Sequence, residues 1–463
     1  MAPGTPSTAT KLRDYLQQYP TVKFYTPDSP DFASTKICCI LKPDTQPFAI
    51  AQPQSAADVQ ALIEFVVEND VDFVVRAGGH DTAGRSQVHG ALTIDLRDLN
   101  TVVVDEASKT VKIGGGALHR DVSKELEKFG LVTPVGSIGS VGYTGWATLG
   151  GYGPFSPKHG LGVDQILSVK LVNPAGQLVE LKGDDELLTG LRGGGGIFGV
   201  IVETTVKAYP LKEIVAGLVV SDPSDLEGAW TEFSAAYQGW RESGELPAEL
   251  YVQPFGVPFP GAGQVFALGL TWTGKDHEAA NKWIDKVAAS LGKPAILKQA
   301  APTSVYAYAE QNEKMLTYGV YGRVFPLNFK KYTPAMAAVF AKYNAILPTP
   351  ECGISIHALR APPANEASVF GAREDHAMLE MIALAKDPAN EAAAAEWAQA
   401  CIRNLRAADP DNILESSYVS LGSDADSDYR KIYGSQYDRL VELKSKYDSK
   451  NVFKFAVPKV VPK

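Results

Sequence analysis

The sequence predicts an α+β protein of two domains, and three observations support this fold class. The chain has 463 residues, which is more than one ordinary hydrophobic core organises. Seven glycines are concentrated at 136–153, among short apolar runs that are typical of strands. After about residue 212, apolar strands alternate with amphipathic helices, which indicates an antiparallel sheet covered by helices. We therefore expect one domain at 1–212, a second at 213–425, and a C-terminal segment at 426–463 that returns to the first.

Local signals place the elements of the first domain. Ser55 is a plausible N-cap for a helix whose apolar residues recur at helical spacing from Val59 to Val67. Gly130 would end a second helix as its C′ residue. The predicted strands lie at 71–75, 91–96, 102–104, 110–113, 166–172, 177–181 and 200–206, and the later helices at 118–129 and 186–191.

In the second domain the pattern changes to longer elements. Strands are predicted at 218–220 and 265–272, and helices at 225–237, 277–291, 334–345 and 387–406. The run at 377–385 fits either a strand or a helix. An amphipathic tail at 428–447 is expected to pack on the first domain.

Composition excludes several classes of partner. The net charge of -9 and the pI near 5.4 argue against nucleic-acid binding, which needs clustered Lys and Arg. No apolar run reaches membrane-spanning length, and the N-terminus lacks the apolar segment of a secretion signal. The chain also contains no Asn-x-Ser/Thr acceptor. We expect a cytoplasmic protein, monomeric or homodimeric, that binds neither nucleic acid nor membrane.

The cysteines do not indicate a metal site. None of Cys38, Cys39, Cys352 and Cys401 forms a Cys-x-x-Cys pair, so a zinc cage is not expected. The adjacent Cys38 and Cys39 are interpreted as small buried apolar residues.

The stretch Arg76–Ser86, Arg-Ala-Gly-Gly-His-Asp-Thr-Ala-Gly-Arg-Ser, is the first candidate site and is called the His80 turn below. It follows the predicted strand at 71–75, and its two glycines allow a tight turn or close approach to a ligand. A neutral imidazole at His80 could act as a nucleophile, a ligand or a proton carrier. A turn without function explains the pattern about equally well, because glycine pairs mark turns in general.

The glycine segment at 136–153 is the second candidate site. Glycine costs backbone entropy, so this density indicates close approach, and successive backbone N–H groups can bind an anion such as a pyrophosphate. Neither GxGxxG nor GxxxxGK[ST] occurs, which excludes the usual Rossmann and phosphate-loop signatures. Purely structural glycines remain the alternative.

These and further motifs follow one another along the chain in a characteristic order. The order is Arg76-Ala-Gly-Gly-His80, Gly114-Gly-Gly116, Val141-Gly-Tyr-Thr-Gly-Trp-Ala-Thr-Leu-Gly-Gly-Tyr-Gly153, His159-Gly-Leu-Gly-Val-Asp164, Arg192-Gly-Gly-Gly-Gly-Ile-Phe-Gly199 and the tail Tyr437–Phe453. The set resembles the berberine-bridge-enzyme-like, FAD-linked oxidases of the vanillyl-alcohol-oxidase fold, nearest to the 6-hydroxy-D-nicotine-oxidase type. The resemblance covers about 45–212 and 428–455, whereas 213–425 matches only in layout.

The resemblance implies a PCMH-type FAD-binding domain, with its core at about 45–212, and a substrate domain built on an antiparallel sheet covered by helices. It also implies that His80 is joined covalently to the flavin 8α-methyl group, which would raise the flavin potential. The positions that match the family's cofactor-binding motifs are Arg76, Ala77, Gly78, Gly79, His80, Asp81, Ser86, Ser137, Val141, Gly142, Gly145, Trp146, Gly150, Gly151, Gly153, His159, Val202 and Asn451. For His159 a structural role is the alternative.

The sequence departs from the family at two positions. Many members carry a second flavin-linking cysteine, and Ile138 occupies that position here, so a single covalent linkage is expected. Trp146 replaces a histidine, and it either lines the pocket or is a core aromatic. Val141 stands at the family's oxygen-gatekeeper position, where a small apolar residue resembles the O2-reactive members.

The family usually places its catalytic base on the central sheet of the second domain, and the run 373–380 is the counterpart. Glu380 is the candidate base, although a solvated surface glutamate is the alternative. Tyr318 and Tyr321 are further catalytic candidates, and Arg373 and His376 are pocket candidates.

The implied activity is oxidation of a small, secondary-metabolite-like alcohol or amine by hydride transfer to FAD, with O2 as the acceptor and H2O2 as the product. The alternatives are a flavin-containing cyclase of a natural-product pathway, a sugar or oligosaccharide oxidase, and a flavin carrier without catalysis. Peroxide release would distinguish an oxidase from the cyclase and the carrier.

Overall fold

The computed structural model describes residues 7–316, 318–360 and 365–463. Its α-helices are α1 (Thr8–Tyr15), α2 (Phe32–Lys36), α3 (Ala56–Glu68), α4 (His119–Glu127), α5 (Tyr143–Thr148), α6 (Ser156–His159), α7 (Glu186–Gly194), α8 (Leu226–Ser243), α9 (His277–Ala289), α10 (Val305–Glu313), α11 (Pro334–Asn344), α12 (Glu391–Ala408), α13 (Tyr429–Tyr433) and α14 (Tyr437–Tyr447). Its strands are β1 (Lys23–Tyr25), β2 (Ala49–Gln52), β3 (Phe73–Arg76), β4 (Leu92–Asp95), β5 (Val102–Asp105), β6 (Thr110–Gly114), β7 (Leu131–Val132), β8 (Ile166–Val172), β9 (Leu178–Lys182), β10 (Val200–Lys207), β11 (Tyr209–Pro210), β12 (Ile214–Val220), β13 (Leu250–Phe259), β14 (Gly263–Trp272), β15 (Leu297–Thr303), β16 (Tyr321–Phe329), β17 (Gly353–Leu359) and β18 (His376–Ala385).

A small sheet carries the His80 turn. Its strand order is β1-β2-β4-β3, and β4 runs parallel to both β2 and β3. Helix α3 covers it and begins as predicted, because the Ser55 hydroxyl accepts a hydrogen bond from the Asp58 backbone N–H at 3.1 Å. Val59 and Leu62 of α3 are fully buried in the same core as Leu92 of β4. Strand β3 ends at Arg76, so the turn leaves at the carboxyl edge of this sheet.

A second, antiparallel sheet has the order β5-β6-β10-β8-β9. Its core residues form one hydrophobic cluster with those of α4, α5, α7 and the C-terminal helix α14. Leu440 and Leu443 supply the apolar side of α14 in that cluster, so the amphipathic tail packs where the sequence indicates. The domain boundaries at 212 and 425 stay a prediction.

The largest sheet has seven antiparallel strands in the order β15-β12-β14-β13-β17-β18-β16. Helices α8, α9, α11 and α12 bury their apolar sides on one of its faces, around Trp230, Phe340 and Trp397. The predicted antiparallel sheet covered by helices is therefore confirmed. The ambiguous run at 377–385 is a strand, β18, because its partners β16 and β17 bury it on both edges.

Strict alternation gives this large sheet two different faces. In β13, Leu250 and Val252 point into the helix-covered core, so Tyr251 and Gln253 face the other way. In β17 the same alternation places Ile354 and Ile356 in that core and His357 on the opposite face. That second face carries the candidate site described next.

Every helix in the described parts of the chain is too short or too polar to pass through a lipid bilayer.

Candidate active site

The His80 turn is locked against the glycine segment through backbone contact. A Cβ atom on Gly78 would lie 2.3 Å from the Gly142 backbone nitrogen, and a Cβ atom on Gly142 would lie 2.5 Å from the Gly78 backbone nitrogen. Gly79 has φ of 73°, which a residue with a side chain rarely adopts. These glycines are thus required by close approach of two backbone segments, which fixes the position of His80.

The His80 ring has one engaged nitrogen and one free nitrogen. Its Nε2 atom lies 2.9 Å from the Ser140 hydroxyl oxygen. Its Nδ1 atom has no hydrogen-bond partner among residues 7–316, 318–360 and 365–463. Burial, reinforced by the positive charge of Arg120, lowers the pKa of His80 to about 4. The imidazole is therefore neutral near pH 7 and keeps a lone pair available for reaction.

Arg76 supports the turn from below. Its guanidinium is 1% exposed and pairs with Asp95 at 2.6 Å, and it also donates to the Thr35 carbonyl oxygen at 2.7 Å. Burial opposes ionisation of Asp95, yet Arg76 and Arg97 hold the pKa of its carboxyl below the ordinary value. The Arg76 side chain is thus committed to the fold, which leaves its backbone for any contact with a ligand.

The far end of the turn is tied to the C-terminal part of the chain. The Asp81 carboxylate accepts from the Arg85 backbone N–H at 2.8 Å, and the Arg85 guanidinium reaches Asp424 at 3.0 Å. Tyr429 donates its phenol to Asp424 at 2.6 Å. The turn is therefore held at both ends, once by the small sheet and once by the returning tail.

A group of polar residues on the second face of the large sheet, the sheet cluster, forms the other half of the site. Its members come from β13, β17 and β18 and are Tyr251, Gln253, Ser355, His357 and Glu380. Tyr251 hydrogen-bonds His357 Nδ1, and His357 Nε2 lies 3.3 Å from Glu380 Oε2. Ser355 and Glu380 are direct cross-strand partners.

Electrostatics keeps Glu380 ionised. Burial alone would raise the pKa of this carboxyl, but His357, with a hydrogen bond from Ser355, lowers it below the ordinary value. The side chain is 20% exposed, so one side remains open. Burial and the neighbouring Tyr308 and Glu380 raise the pKa of Tyr251 well above 10, so this phenol stays protonated.

Two tyrosines connect the sheet cluster to the first part of the chain. Tyr308 on α10 donates to the Ser137 hydroxyl at 3.4 Å and raises the pKa of Tyr251. Tyr418 accepts from the Gly151 backbone N–H at 3.1 Å, and burial together with the charge of Glu380 raises its pKa to about 12. Both tyrosines thus bond to the glycine segment and are near enough to the sheet cluster to interact with it electrostatically.

Several residues predicted as cofactor contacts have protein partners that explain them. A Cβ on Gly150 would meet Phe370 at 2.7 Å, one on Gly151 would meet Gly162 at 2.7 Å, and one on Gly153 would meet the Val135 carbonyl oxygen at 2.2 Å. These three glycines allow chain segments to pack closely, which is the structural alternative. By contrast, Gly145 has open space around it and is exposed.

Three further predicted contacts, two of them in the core, pack against other side chains. Trp146 is buried, donates Nε1–H to the Tyr152 carbonyl oxygen at 3.0 Å and packs on His119, so it is a core aromatic. His159 stacks on Tyr209 with 3.9 Å between ring centroids. Val202 packs in the core of the small sheet.

The remaining predicted positions lie on or near the two segments that meet. Ala77, Ser86 and Val141 are partly exposed, and a Cβ on Gly142 would lie 3.2 Å from that of Ala77. Asn451 has φ of 53°, and its buried Oδ1 atom lacks a partner in the described residues.

The catalytic and pocket candidates separate into two groups. Tyr318 lies beside the His80 ring, with 5.4 Å between ring centroids. Glu380, as a member of the sheet cluster, is the other catalytic candidate within the candidate site. Tyr321 does not reach it, because alternation along β16 puts Tyr321 on the face opposite to Glu380. Arg373 forms an ion pair with Asp164 at 2.8 Å. His376 Nε2 forms a hydrogen bond with the buried Tyr152 phenol at 2.8 Å. Both side chains therefore hold the fold together.

Sequence reasoning missed Ser140, Tyr251, Gln253, Ser355 and His357. The available signal was the alternation Leu250-Tyr-Val-Gln253 and Ile354-Ser-Ile-His357, in which polar residues occupy every second position of a strand. No group of three or more His, Cys, Asp or Glu side chains within the described ranges could hold a metal ion.

Comparison with known proteins identifies the family to which the chain is similar. The sequence profile described as "FAD binding domain" matches residues 47–182, and the profile "Berberine and berberine like" matches residues 423–458. The FAD-linked oxidoreductase aurO of Gibberella zeae is 33% identical over 459 residues, which cover 97% of this chain and 87% of that protein.

Solved structures share the fold. The 6-hydroxy-D-nicotine oxidase of Arthrobacter nicotinovorans superimposes with a TM-score of 0.84 at 23% identity, covering 95% of this chain and 98% of the other. Glucooligosaccharide oxidase from Acremonium strictum, described with a 6-S-cysteinyl, 8α-N1-histidyl FAD, superimposes with a TM-score of 0.80 at 19% identity over 95% and 97% of the two chains. With identity to aurO extending over nearly the whole sequence, the chain belongs to the berberine-bridge-enzyme-like family of FAD-linked oxidoreductases.

Proposed function

We propose that this protein is an FAD-dependent oxidase of a small organic alcohol or amine, with the flavin bound covalently through His80 alone and with O2 as the electron acceptor. The observation that carries the proposal is the arrangement of a neutral imidazole on one side of the site and an ionised carboxylate on the other. The first suits attachment of an electrophilic cofactor, and the second suits removal of a substrate proton.

The residues present fit FAD. Around the glycine segment, buried polar atoms lack partners in the described residues, among them His119 Nε2, Thr144 Oγ1 and, on the tail, Asn451 Oδ1. Because His119 Nδ1 accepts from the Gly136 N–H at 3.2 Å, its Nε2 carries a proton and remains an available donor. Donors and acceptors of this kind suit the hydroxyl, phosphate and ring oxygens of a flavin dinucleotide. The residues proposed to hold it are His80, Gly78, Gly142, Ser137, Val141 and Asn451.

The single linkage also follows from the residues. The thiols of Cys38, Cys39, Cys352 and Cys401 are all buried. Cys39 lies close to the turn, but its backbone N–H, not its thiol, bonds the Gly79 carbonyl oxygen at 2.9 Å, and burial raises the pKa of the thiol to about 12. A protonated thiol is a poor nucleophile. Ile138 supplies no group able to form a second bond.

Bound flavin would accept a hydride from the substrate carbon and pass the two electrons to O2, which yields H2O2. Glu380 would take the proton of the substrate hydroxyl or amine through its open side. His357 stabilises the ionised carboxylate and, through Tyr251, keeps a fixed ring orientation. General-base assistance of this kind is worth about 10²–10⁴-fold in rate.

The test is an anaerobic spectral screen of the purified holoenzyme. Panels of benzylic and secondary alcohols, cyclic amines and cello-oligosaccharides would be mixed with the protein, and flavin bleaching at 450 nm, the region of the oxidised flavin band, would be followed on the order of seconds to minutes. We expect bleaching by an alcohol or amine and stoichiometric H2O2 on admission of air. Bleaching by oligosaccharides alone would replace the proposed substrate class, product formation without peroxide would indicate a cyclase, and protein purified without flavin would overturn the proposal.

The oligomeric state is proposed to be monomer or homodimer, which light scattering of the purified holoenzyme would measure directly.

A further inference from the structure

We infer that Ser140 is a positioning residue for attachment of the flavin: it holds His80 in the tautomer that carries the proton on Nε2, which leaves Nδ1 as the nucleophile. This inference rests on the proposed covalent bond at His80.

The contact between the Ser140 hydroxyl and His80 is positioned by the backbone segments that carry the two residues. The Ser140 carbonyl oxygen would lie 3.0 Å from a Cβ on Gly78, and Gly142, two residues later, touches Gly78 directly. Two glycines thus set the separation of the segments, and the Ser140 hydroxyl reaches His80 Nε2 at 2.9 Å. A serine has one short rotor, so little side-chain entropy is lost in holding this geometry.

The choice of tautomer follows from the partners of the two nitrogens. If Nε2 carries the proton, it donates to the Ser140 oxygen and Nδ1 keeps a free lone pair. In the opposite tautomer, Nδ1–H would have no acceptor in the described residues, and an unsatisfied donor costs free energy. The first arrangement is therefore favoured.

Burial of the ring, with the charge of Arg120 adding to it, disfavours loss of this lone pair by protonation. The Arg120 backbone N–H donates to the Gly139 carbonyl oxygen at 3.0 Å, and its guanidinium pairs with Glu313 on α10 at 3.0 Å. The same loop is held by Asn312, which donates to the Ser137 carbonyl oxygen at 3.2 Å. Burial and the Arg120 charge keep the pKa of His80 well below its usual range.

The attachment reaction balances with O2 as the oxidant. A bond forms between His80 Nδ1 and the 8α carbon of the flavin, and one C–H bond of the methyl group breaks. The proton of that C–H bond and the Nε2 proton of the alkylated ring are both released to solvent. The two electrons and two protons removed overall are taken by O2, which becomes H2O2. Ser140 thus acts twice, first by orienting the ring and then by accepting a hydrogen bond from Nε2–H as positive charge develops on it.

The experiment compares Ser140→Ala with Ser140→Thr, which keeps the hydroxyl, and with Ser108→Ala, an exposed serine on the β5–β6 turn. Each holoenzyme is acid-precipitated, and the flavin that stays with the protein is divided by the total flavin bound. The attached fraction is followed over time while the protein takes up FAD. We expect S140A to attach flavin about tenfold more slowly, which is the scale of one lost hydrogen bond. S140T and S108A should attach flavin at the wild-type rate. Non-covalent FAD bound by S140A shows that its site is intact.

A second measurement, on the wild type, tests which nitrogen is linked even if S140A fails to accumulate. NMR of the isolated flavin-histidyl peptide identifies the linked nitrogen, and the inference requires Nδ1. Linkage at Nε2, or an S140A attachment rate equal to wild type, would overturn it. Absence of covalent flavin from the wild type would instead overturn the proposed attachment itself, which is a separate outcome.

Discussion

The His80 turn and the sheet cluster are built in opposite ways. The turn is a continuous stretch of chain whose shape is set by backbone contacts of Gly78 and Gly142. The sheet cluster is assembled from three strands, and its Tyr251–His357 contact spans 106 residues of sequence. Backbone geometry therefore fixes one half of the site, and mutual side-chain interactions fix the other.

Their electrostatics differ in the same way. His80 is neutral mainly because it is buried, and Arg120 only adds to that effect. Glu380 is ionised in spite of burial, because His357 and a hydrogen bond from Ser355 together outweigh the effect of burial on its pKa. Loss of one neighbour should consequently change the protonation of Glu380 far more than that of His80.

The largest expected effect is on cofactor attachment. His80→Ala removes the only proposed nucleophile, so acid-precipitated H80A should retain no flavin, whereas Glu380→Gln should retain as much as the wild type. Fluorescence of the washed precipitate measures both. Flavin retained by H80A would assign the covalent bond to another residue. It would contradict the assignment of flavin attachment to the His80 turn and of proton removal to the sheet cluster.

Next in size is the loss of the base. We expect Glu380→Gln to slow anaerobic flavin reduction by about 10²–10⁴-fold with the best compound of the spectral screen. Stopped-flow spectroscopy provides the rate, and the flavin spectrum of the unreacted protein checks that the site is intact. A reduction rate within a few-fold of wild type would remove Glu380 from proton transfer.

Stability should distinguish a glycine in contact from one in open space. Gly78→Ala pushes a Cβ to 2.3 Å from the Gly142 nitrogen, so we expect a destabilisation of about 1–3 kcal/mol. Gly145→Ala, in helix α5 with nothing within 4 Å, should be neutral or stabilising by up to ~1 kcal/mol. Thermal melts of the two variants compare them, and equal melting temperatures would contradict the backbone account of the turn.

The smallest effect concerns pH. The pKa of Glu380 is lowered, so its carboxylate persists as pH falls and the acid limb of flavin reduction in the wild type should lie below about 4.5. His357→Asn removes the main lowering influence and leaves burial, so the limb should move to higher pH. His277→Asn, at a partly exposed histidine near Glu213, is the control. An unshifted limb in H357N would show that His357 does not govern Glu380.

Stability toward acid depends on two buried histidines, His80 and His376. Burial holds the pKa of His80 and His376 at about 4, below the ordinary 6.5, so the unfolded chain binds protons more readily than the folded one. The corresponding stability is complete above about pH 6.5 and declines as pH falls toward 4. Denaturant melts across this range measure it, and a stability that rises on acidification would contradict the neutral state of His80.

The two halves also differ in how well the sequence predicts them. The His80 turn was identifiable because its residues are contiguous and its glycines have a local signature. The sheet cluster was not, since Tyr251, His357 and Glu380 meet only through the register of β13, β17 and β18. Tyr321 was also expected at the site, yet strand alternation turns it to the other face. The contacts of Gly150 and Trp146 depend on packing partners that no local pattern reveals.

The most direct test of the central claim is a peptide map of the denatured wild-type holoenzyme. Trypsin cuts after Arg76 and Arg85, so the fragment Ala77–Arg85 contains His80 as its only histidine. We predict that this fragment carries the flavin mass and fluorescence and that the fragment with Ile138 does not. Recovery of Ala77–Arg85 entirely unmodified, with all FAD released on denaturation, would contradict the account.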